Sequence, residues 1–250
     1  MMLNVGEISF INYIPLNRRA EFFPYGRKTF SLPPSQLNEL CRRQILDVSP
    51  VSFFAYKDIE KNYARLENFC IAANSEVKSV ELFSNFGIEE LEGKRVFAAR
   101  ESENSVGALR AICRFRGNFD VFKNRAFDIE SADAALIIGD RALAFDSRFK
   151  YKFDIGSLWR GAFGCPLVCS CIAIRREIFD SVKEKIAEYY DASLEEFQKN
   201  RKKYCLEAAE KIGKNGFDSA AADAYYSGLA YKIDKAQFDK TRDILNGKFA

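Results

Sequence analysis

The sequence has no histidine among its 250 residues. This absence excludes histidine-based catalytic triads, histidine-ligated zinc and histidine general bases. Any chemistry must therefore use other side chains such as Asp, Glu, Lys, Tyr, Cys or Ser, oriented dipoles, or groups that belong to the substrate.

Several other signals are missing from the chain. No apolar run reaches the roughly 18 residues that a membrane-spanning helix needs, and the N-terminus MMLNVGEISF lacks the features of a secretory signal. The GxGxxG and GxxxxGK[ST] phosphate motifs are absent, so we expect no nucleotide cofactor. The net charge of +3 is too small to indicate nucleic acid but favours a small anionic ligand. We therefore predict a cytoplasmic protein without cofactors, with no membrane or nucleic-acid partner.

The cysteines number seven and form no CxxC pair. Their odd number and scattered positions indicate reduced thiols rather than a disulfide framework. Cys165, Cys169 and Cys171 lie close enough to suggest a metal site. The segment that holds them, GCPLVCSCIAI, has the pattern of a buried strand, in which free cysteine packs as a small hydrophobic residue. We favour packing and predict no metal.

The opening stretch GEISFINYIPLN has the order strand, polar turn and helix start. Ile8 to Ile11 suit a short buried strand, Asn12 interrupts it, and Pro15 fits the first turn of a helix. In an open α/β sheet, ligands bind outside the carboxyl ends of strands, and a helix N-terminus there favours anions. Asn12 is thus a candidate site residue, although it could equally be a turn or cap residue.

Small polar residues recur at later strand ends. They follow the candidate strands at residues 45–48, 96–99 and 134–138, and each could instead be a helix cap or a turn residue. The candidates at these ends are Ser49, Ser52, Ser102, Asn104, Ser105, Gly139 and Asp140.

The candidate elements alternate between strands and helices up to about residue 175, and helical patterns follow. This order predicts an α/β fold with parallel strands. Helical periodicity through Lys214 and again from Asp218 to Asn246 predicts a helical C-terminal tail on the outside of the molecule.

An ordered set of segments resembles the chorismate dehydratases of the futalosine route to menaquinone. The segments are GEISFINYIPLN, LNELCRRQILDVSPVSFFAY, VKSVELFS, ESENSVGALR, AALIIGDRAL and DIGSLW…GCPLV. The resemblance implies a two-lobed periplasmic-binding-protein-like fold of type II, with the ligand cleft between the lobes. We expect residues 1–83 to begin the first lobe, 84–171 to form the second, and 172–250 to return to the first and end in helices.

The resemblance also implies an activity, the dehydration of chorismate to 3-[(1-carboxyvinyl)oxy]benzoate. The asparagine that is central to the family's reaction matches Asn12. Residues expected to bind substrate match Ser79, Ser102, Ser105, Gly139 and Asp140, with Asn104 where a threonine is usual. The family's TGLPFVFA segment stands here as FGCPLVCS, so Phe163 replaces a threonine and Cys165 a leucine.

The chemistry agrees with the residue inventory. Our hypothesis is that Asn12 positions the ring and its departing hydroxyl, while a carboxylate of the substrate takes the proton, because an amide is a poor base. The related 1,4-dihydroxy-6-naphthoate synthases are described with a functional histidine, which this chain lacks. A non-catalytic solute-binding protein and a ligand-sensing domain are the alternatives, and the oligomeric state is open.

Overall fold

The computed structural model describes residues 1–98, 103–113, 120–122, 129, 132–214 and 216–247. Its first sheet has six strands, in the spatial order β11-β4-β10-β3-β1-β2. These strands are β1 (Met2–Ile8), β2 (Gly26–Leu32), β3 (Val48–Ser52), β4 (Tyr63–Ala73), β10 (Leu167–Arg175) and β11 (Leu229–Lys232).

The second sheet has five strands, in the order β7-β6-β8-β5-β9, and all of them come from one continuous part of the chain. They are β5 (Val80–Ser84), β6 (Arg95–Ala98), β7 (Asp120–Phe122), β8 (Ala134–Ile138) and β9 (Tyr151–Asp154). The chain thus leaves the first sheet after β4 and returns to it with β10. The lobe boundaries at residues 84 and 171 stay a prediction, and we note that β5 begins before the first of them and β10 spans the second.

Helices connect the strands and form most of the C-terminal third. The α-helices are α1 (Pro34–Arg42), α2 (Phe53–Ile59), α3 (Glu103–Cys113), α4 (Asp140–Ala144), α5 (Ile155–Phe163), α6 (Arg176–Lys199), α7 (Arg201–Ile212), α8 (Ser219–Ser227) and α9 (Lys235–Leu245). Among the described residues, short 3₁₀ helices cover Ile11–Leu16, Ala20–Phe22 and Ile88–Glu90.

Both sheets contain the expected parallel strands, but they are mixed, because each also contains antiparallel pairs that the sequence did not predict. β1 is parallel to β2 and β3, and β6 is parallel to β7 and β8. β10, however, is antiparallel to both β3 and β4, and β5 is antiparallel to β8 and β9. The connections that cross from one sheet to the other reverse the chain, so the strands that follow them run against their neighbours.

The opening stretch differs from its predicted boundaries. The strand covers Met2–Ile8, whereas the sequence predicted a strand over Ile8–Ile11. The helix starts at Ile11 and has Pro15 in its interior. Pairing of β1 with β2 along its whole length explains the earlier strand, since a central strand gains a ladder on each side. A 3₁₀ helix of six residues tolerates Pro15 because few of its N–H groups have a partner within the helix.

The 3₁₀ helix Ile11–Leu16 lies between the two hydrophobic cores. Tyr13 and Leu16 pack into the core around the first sheet. Ile11 and Ile14 pack into the core of the second sheet together with Trp159, which is fully buried. Because its two faces belong to different cores, this helix sets the position of Asn12 relative to both sheets.

The C-terminal region also differs from expectation. Between α8 and α9 the chain forms β11, which extends the first sheet beside β4, where a continuous helical segment was predicted. The helices are not only an outer layer, because α6 and α7 both contact the 3₁₀ helix that carries Asn12. All seven cysteines are free thiols.

Candidate active site between the two sheets

A narrow cavity lies at the ends of strands from both sheets. Its interior volume of about 70 Å³ holds only a few water molecules. Six of the predicted site residues line it, together with apolar and small residues of both sheets. The polar and small lining residues are Asn12, Ser52, Ser79, Asn104, Ser105, Gly139, Cys169 and Ser170, and the others are Ile8, Phe10, Pro34, Ile71, Val77, Val80, Ile138 and Leu229.

The backbone around Asn12 is held by side chains from distant parts of the chain. The Tyr231 hydroxyl donates to the Asn12 carbonyl at 2.9 Å, and the Tyr226 hydroxyl donates to the Ile11 carbonyl at 3.0 Å. Pro15 has no N–H and so cannot supply the 3₁₀ hydrogen bond to the Asn12 carbonyl. The C-terminal region thus provides a donor that the sequence of the helix lacks.

The Asn12 side chain has an unpaired buried acceptor. Its Oδ1 is buried and has no hydrogen-bond partner among the residues that the structure describes. A buried amide oxygen without a partner costs about 1–3 kcal/mol. A donor on a bound molecule would remove that cost, and the role of Asn12 stays a prediction.

Asp140 fixes the start of the 3₁₀ helix rather than lining the cavity. Its Oδ1 accepts a hydrogen bond from the Ile11 N–H at 2.9 Å, and its Oδ2 lies 3.7 Å from the Lys211 ammonium. Burial raises the pKa of the Asp140 carboxyl, while the Ile11 N–H and Lys211 act in the opposite direction. Lys211 also donates to the Ser9 carbonyl. Asp140 is therefore a positioning residue in this structure.

Gly139 brings the second sheet against the opening stretch. Its φ of 66° favours glycine, and a Cβ at this position would lie 2.7 Å from the Phe10 ring. The Gly139 N–H donates to the Ser79 carbonyl at 2.8 Å, which places these two predicted residues side by side. The glycine is thus needed for the close approach of Phe10, and Ser79 lines the same cavity.

The two serines of β3 have different surroundings. Ser52 lines the cavity, and its Oγ accepts a hydrogen bond from the Asn38 amide at 2.9 Å. Ser49 is completely buried, does not line the cavity, and donates to the Pro50 carbonyl at 2.9 Å. An added Cβ on Gly6 would lie 2.3 Å from the Ser49 Oγ, so Ser49 is packed within the first sheet's core.

Asn104 joins elements that surround the cavity. Its Oδ1 accepts from the Phe54 N–H and its Nδ2 donates to the Val168 carbonyl, both at 3.2 Å. These bonds tie α3 to α2 and β10. Ser105, in the same helical turn, is buried and lines the cavity. Ser102 lies outside the described residues.

The described lining of the cavity carries no Asp, Glu, Lys or Arg side chain. Cys169 is its titratable group, and burial raises the pKa of this thiol to about 12, so the thiol is neutral at neutral pH. Within the described lining, neither a cationic group for an anion nor a carboxylate base is therefore available.

Helix ends supply partial positive charge at the cavity. α1 begins at Pro34 and α2 follows Ser52, and neither helix has a side-chain cap. Three other helices are capped by carboxylates, namely α5 by Asp154, α8 by Asp218 and α9 by Asp234, whereas α6 and α7 also lack a side-chain cap. Most N–H groups at these two starts already have protein partners, because the Phe54 N–H is bonded to the Asn104 Oδ1 and the Gln36 and Leu37 N–H groups are bonded to the Pro33 carbonyl.

Sequence patterns missed five residues that build this site. Tyr226, Tyr231 and Lys211 come from the C-terminal region, and no local pattern relates them to residues 9–12. Asn38 and Ser170 were read as parts of an amphipathic helix and a buried strand. A polar residue on an otherwise apolar strand is a usable signal, and Ser170 has it.

Solved structures show the fold class. A protein from Archaeoglobus fulgidus superposes with a TM-score of 0.77 and 17% identity, covering 99% of this chain and 97% of that one. The alkanesulfonate-binding protein of Xanthomonas axonopodis pv. citri, solved with MOPS, superposes with a TM-score of 0.70 and 13% identity. The match covers 99% of this chain and 93% of that one. A Candida albicans protein described as having the generic periplasmic binding protein fold superposes with a TM-score of 0.70 and 12% identity. The match covers 99% of this chain and 90% of that one. The chain therefore has a periplasmic-binding-protein-like fold.

Sequence comparison shows the family. The profile of the menaquinone biosynthesis family matches residues 3–245, and the chain belongs to this family. The chorismate dehydratase of Thermus thermophilus is 27% identical over 172 residues. That alignment covers 61% of this chain and 63% of the relative.

Two further searches concern the described residues alone. None of their helices is both long and apolar enough to span a bilayer. No three or more acidic or cysteine side chains among them are grouped so as to hold a metal ion.

Proposed function

We propose that this protein is a chorismate dehydratase, a carbon–oxygen lyase that converts chorismate to 3-[(1-carboxyvinyl)oxy]benzoate and water. The observation that carries the proposal is the Asn12 amide oxygen, buried without a described partner in a cavity between the two sheets. The likeness to the Thermus thermophilus chorismate dehydratase and membership of a menaquinone biosynthesis family support it.

The uncharged cavity suits a dicarboxylate substrate. Hydroxyls of Ser52, Ser79 and Ser105 line it. Such donors bind carboxylates without a formal positive charge. Asn104 and Asp140, whose polar atoms already have protein partners, would shape the pocket rather than bind the ligand.

The reaction removes a ring proton and the neighbouring hydroxyl, and the ring becomes aromatic. In our mechanism the Asn12 oxygen accepts a hydrogen bond from the departing hydroxyl and so fixes the reactive conformer. A carboxylate of the substrate takes the ring proton, since none of the described lining residues is a carboxylate or an amine. The carboxylic acid so formed gives this proton to the departing hydroxide, so that one water molecule leaves, the substrate carboxylate is restored, and no electron acceptor is needed.

Ultraviolet spectroscopy tests the proposed activity. Chorismate mixed with the purified protein should lose its diene absorption and gain that of a substituted benzoate. An unchanged spectrum over hours, with chorismate bound, would instead identify a non-catalytic solute-binding protein. This second function is supported by the alkanesulfonate-binding protein among the solved structures of the same fold.

Location and lobe boundaries belong to the same proposal. Seven free cysteines support a reducing, cytoplasmic location, which cell fractionation would contradict if the protein were found in an oxidising compartment. We propose that residues 1–83 and 172–250 form the first lobe and residues 84–171 the second. Limited proteolysis that cleaved only within these segments, and not at their boundaries, would argue against this division.

A further inference from the structure

We propose that the hydroxyls of Ser52 and Ser170 form a subsite for one carboxylate of the ligand. This inference rests on the proposed function for the identity of that ligand. The two serines come from strands that are more than one hundred positions apart in sequence, and both line the cavity.

The strand register places the two side chains together. β3 and β10 are antiparallel neighbours, and Ser52 is directly opposite Ser170. Directly opposed residues of antiparallel strands project from the same face, with Cβ atoms about 4.5–5.5 Å apart. Two hydroxyls at this spacing can each donate to one oxygen of a single carboxylate.

The hydrogen bonds within the protein leave both hydroxyls able to donate. Ser170 is 5% exposed, and its Oγ has no partner in the described part of the chain. Ser52 is 8% exposed, and its Oγ accepts from the Asn38 amide, so its hydrogen is directed elsewhere. A buried hydroxyl without a partner is costly, and an anionic acceptor offsets this cost best.

Asn38 sets the direction of the Ser52 hydroxyl. Its Oδ1 accepts from the Ser52 N–H at 2.9 Å, while its Nδ2 donates to the Ser52 Oγ at the same distance. The first bond fixes the orientation of the amide, since exchanging its oxygen and nitrogen would set two donors, the amide NH₂ and the Ser52 N–H, against each other. Asn38 is therefore a positioning residue that keeps Ser52 a donor toward the cavity.

Ligand binding by the full chain tests the subsite directly. The probes are 3-[(1-carboxyvinyl)oxy]benzoate and its two monoamides, in which either the ring or the side-arm carboxylate is neutral. We expect Ser170→Ala to raise the Kd of the dicarboxylate about tenfold, as loss of a bond to a charged group does. For one monoamide, the same substitution should change the Kd less than twofold, and that probe identifies the carboxylate.

Ser193→Ala is the matched control. Ser193 is fully buried, interacts with the Tyr189 hydroxyl, and does not line the cavity. Both substitutions remove one buried hydroxyl, so both variants should melt within a few degrees of wild type. Only Ser170→Ala should weaken binding, and Ser52→Ala should reproduce its effect if Ser170→Ala does not fold.

The outcomes separate this inference from the proposed activity. Equal Kd values for wild type and Ser170→Ala, or equal weakening for all three probes, would overturn the subsite even if chorismate is dehydrated. The expected pattern without any turnover would support the subsite while the dehydratase proposal fails. Binding of none of the probes by wild type would overturn the subsite as well.

Discussion

Asn12 combines a rigid backbone with an unsatisfied side chain. Its carbonyl is bonded to Tyr231, and its buried amide oxygen has no described partner. We expect Asn12→Ala to lower kcat at least about a hundredfold, because one preorganised polar group at a reaction centre contributes that much. Chorismate should still bind, with a Kd within about tenfold of wild type. Kinetics followed at the benzoate absorption, with calorimetry for binding, measure both effects.

Asn17→Ala provides the control for this prediction. Asn17 follows the same 3₁₀ helix, but its amide is bonded to Glu7 and Arg18 and does not line the cavity. That variant should keep its kcat. Full activity of Asn12→Ala would remove Asn12 from the mechanism.

The alternation of side chains along a strand shows that Ser49 and Ser52 could not both have been site residues. Ser49 and Ser52 are three positions apart on one strand, so their side chains project from opposite faces, and only one can face a given cavity. This could have been read from the sequence. Which of the two faces the cavity could not, because that depends on the sheet register and on the helices that cover each face.

At the scale of the element, the 3₁₀ helix Ile11–Leu16 depends on the C-terminal region. Tyr231→Phe removes the donor to the Asn12 carbonyl, for which Pro15 cannot substitute. We expect a loss of about 1 kcal/mol in the free energy of unfolding and a fall in kcat of roughly fivefold or more, as the reacting groups lose their alignment. Denaturant unfolding and steady-state kinetics measure the two effects.

A second tyrosine, which donates to a backbone carbonyl far from Asn12, is the control that distinguishes an effect on kcat from an effect on stability. The Tyr63 hydroxyl donates to the Leu46 carbonyl at 2.6 Å within the first sheet's core. Tyr63→Phe should lower the free energy of unfolding without lowering kcat. Equal kcat in Tyr231→Phe and wild type would show that this bond does not position Asn12.

β5 carries a buried carboxylate, Glu81, that makes the free energy of unfolding depend on pH. Glu81 is 1% exposed, lies 3.2 Å from the Lys152 ammonium, and has an unpartnered Oε2. Burial raises the pKa of Glu81 from 4.5 to about 7, with Lys152 opposing and Asp154 and Glu76 adding to the rise. The folded state therefore binds the proton more tightly than the unfolded state does.

The sign of the pH effect follows from this difference. The free energy of unfolding should fall as pH rises from about 4.5 to about 7, by about 3 kcal/mol in total. Glu81→Gln should remove this slope, measured by denaturant unfolding at several pH values. Asp146→Asn, at a carboxylate that is 91% exposed, should leave the slope unchanged. An unaltered slope in Glu81→Gln would assign the effect to another group.

The elements themselves were largely predictable where their patterns were local. The strand AALII and the helix after Pro33-Pro34 lie where the sequence indicated. β11 was missed because a strand of four residues is stabilised by pairing with β4, which is about 160 positions earlier. The same holds for Tyr226 and Tyr231, whose partners in the site are more than 200 positions away.

At the scale of the whole molecule, we expect chorismate to enter the narrow cavity when the sheets move apart and to be held when they close over it. With about 70 Å³ inside, it resembles the closed state of a two-lobed fold without its ligand. Such opening would break the hydrogen bonds of Asn104, because its side-chain amide joins α3 to the backbone of Phe54 and Val168. A bond made only in the closed state shifts the population toward that state.

We therefore expect Asn104→Ala to favour the open state. The loss of two hydrogen bonds at about 1 kcal/mol each should raise the KM for chorismate roughly five- to thirtyfold, with a smaller change in kcat. Small-angle X-ray scattering should give the ligand-free variant a larger radius of gyration than wild type, and saturating 3-[(1-carboxyvinyl)oxy]benzoate should reduce the difference. Asn200 lies between α6 and α7, and its side-chain amide donates a hydrogen bond to Glu196. Asn200→Ala, which removes this hydrogen bond, should change neither the KM nor the radius of gyration. A raised KM with an unchanged radius of gyration would mean that Asn104 acts on the pocket and not on closure.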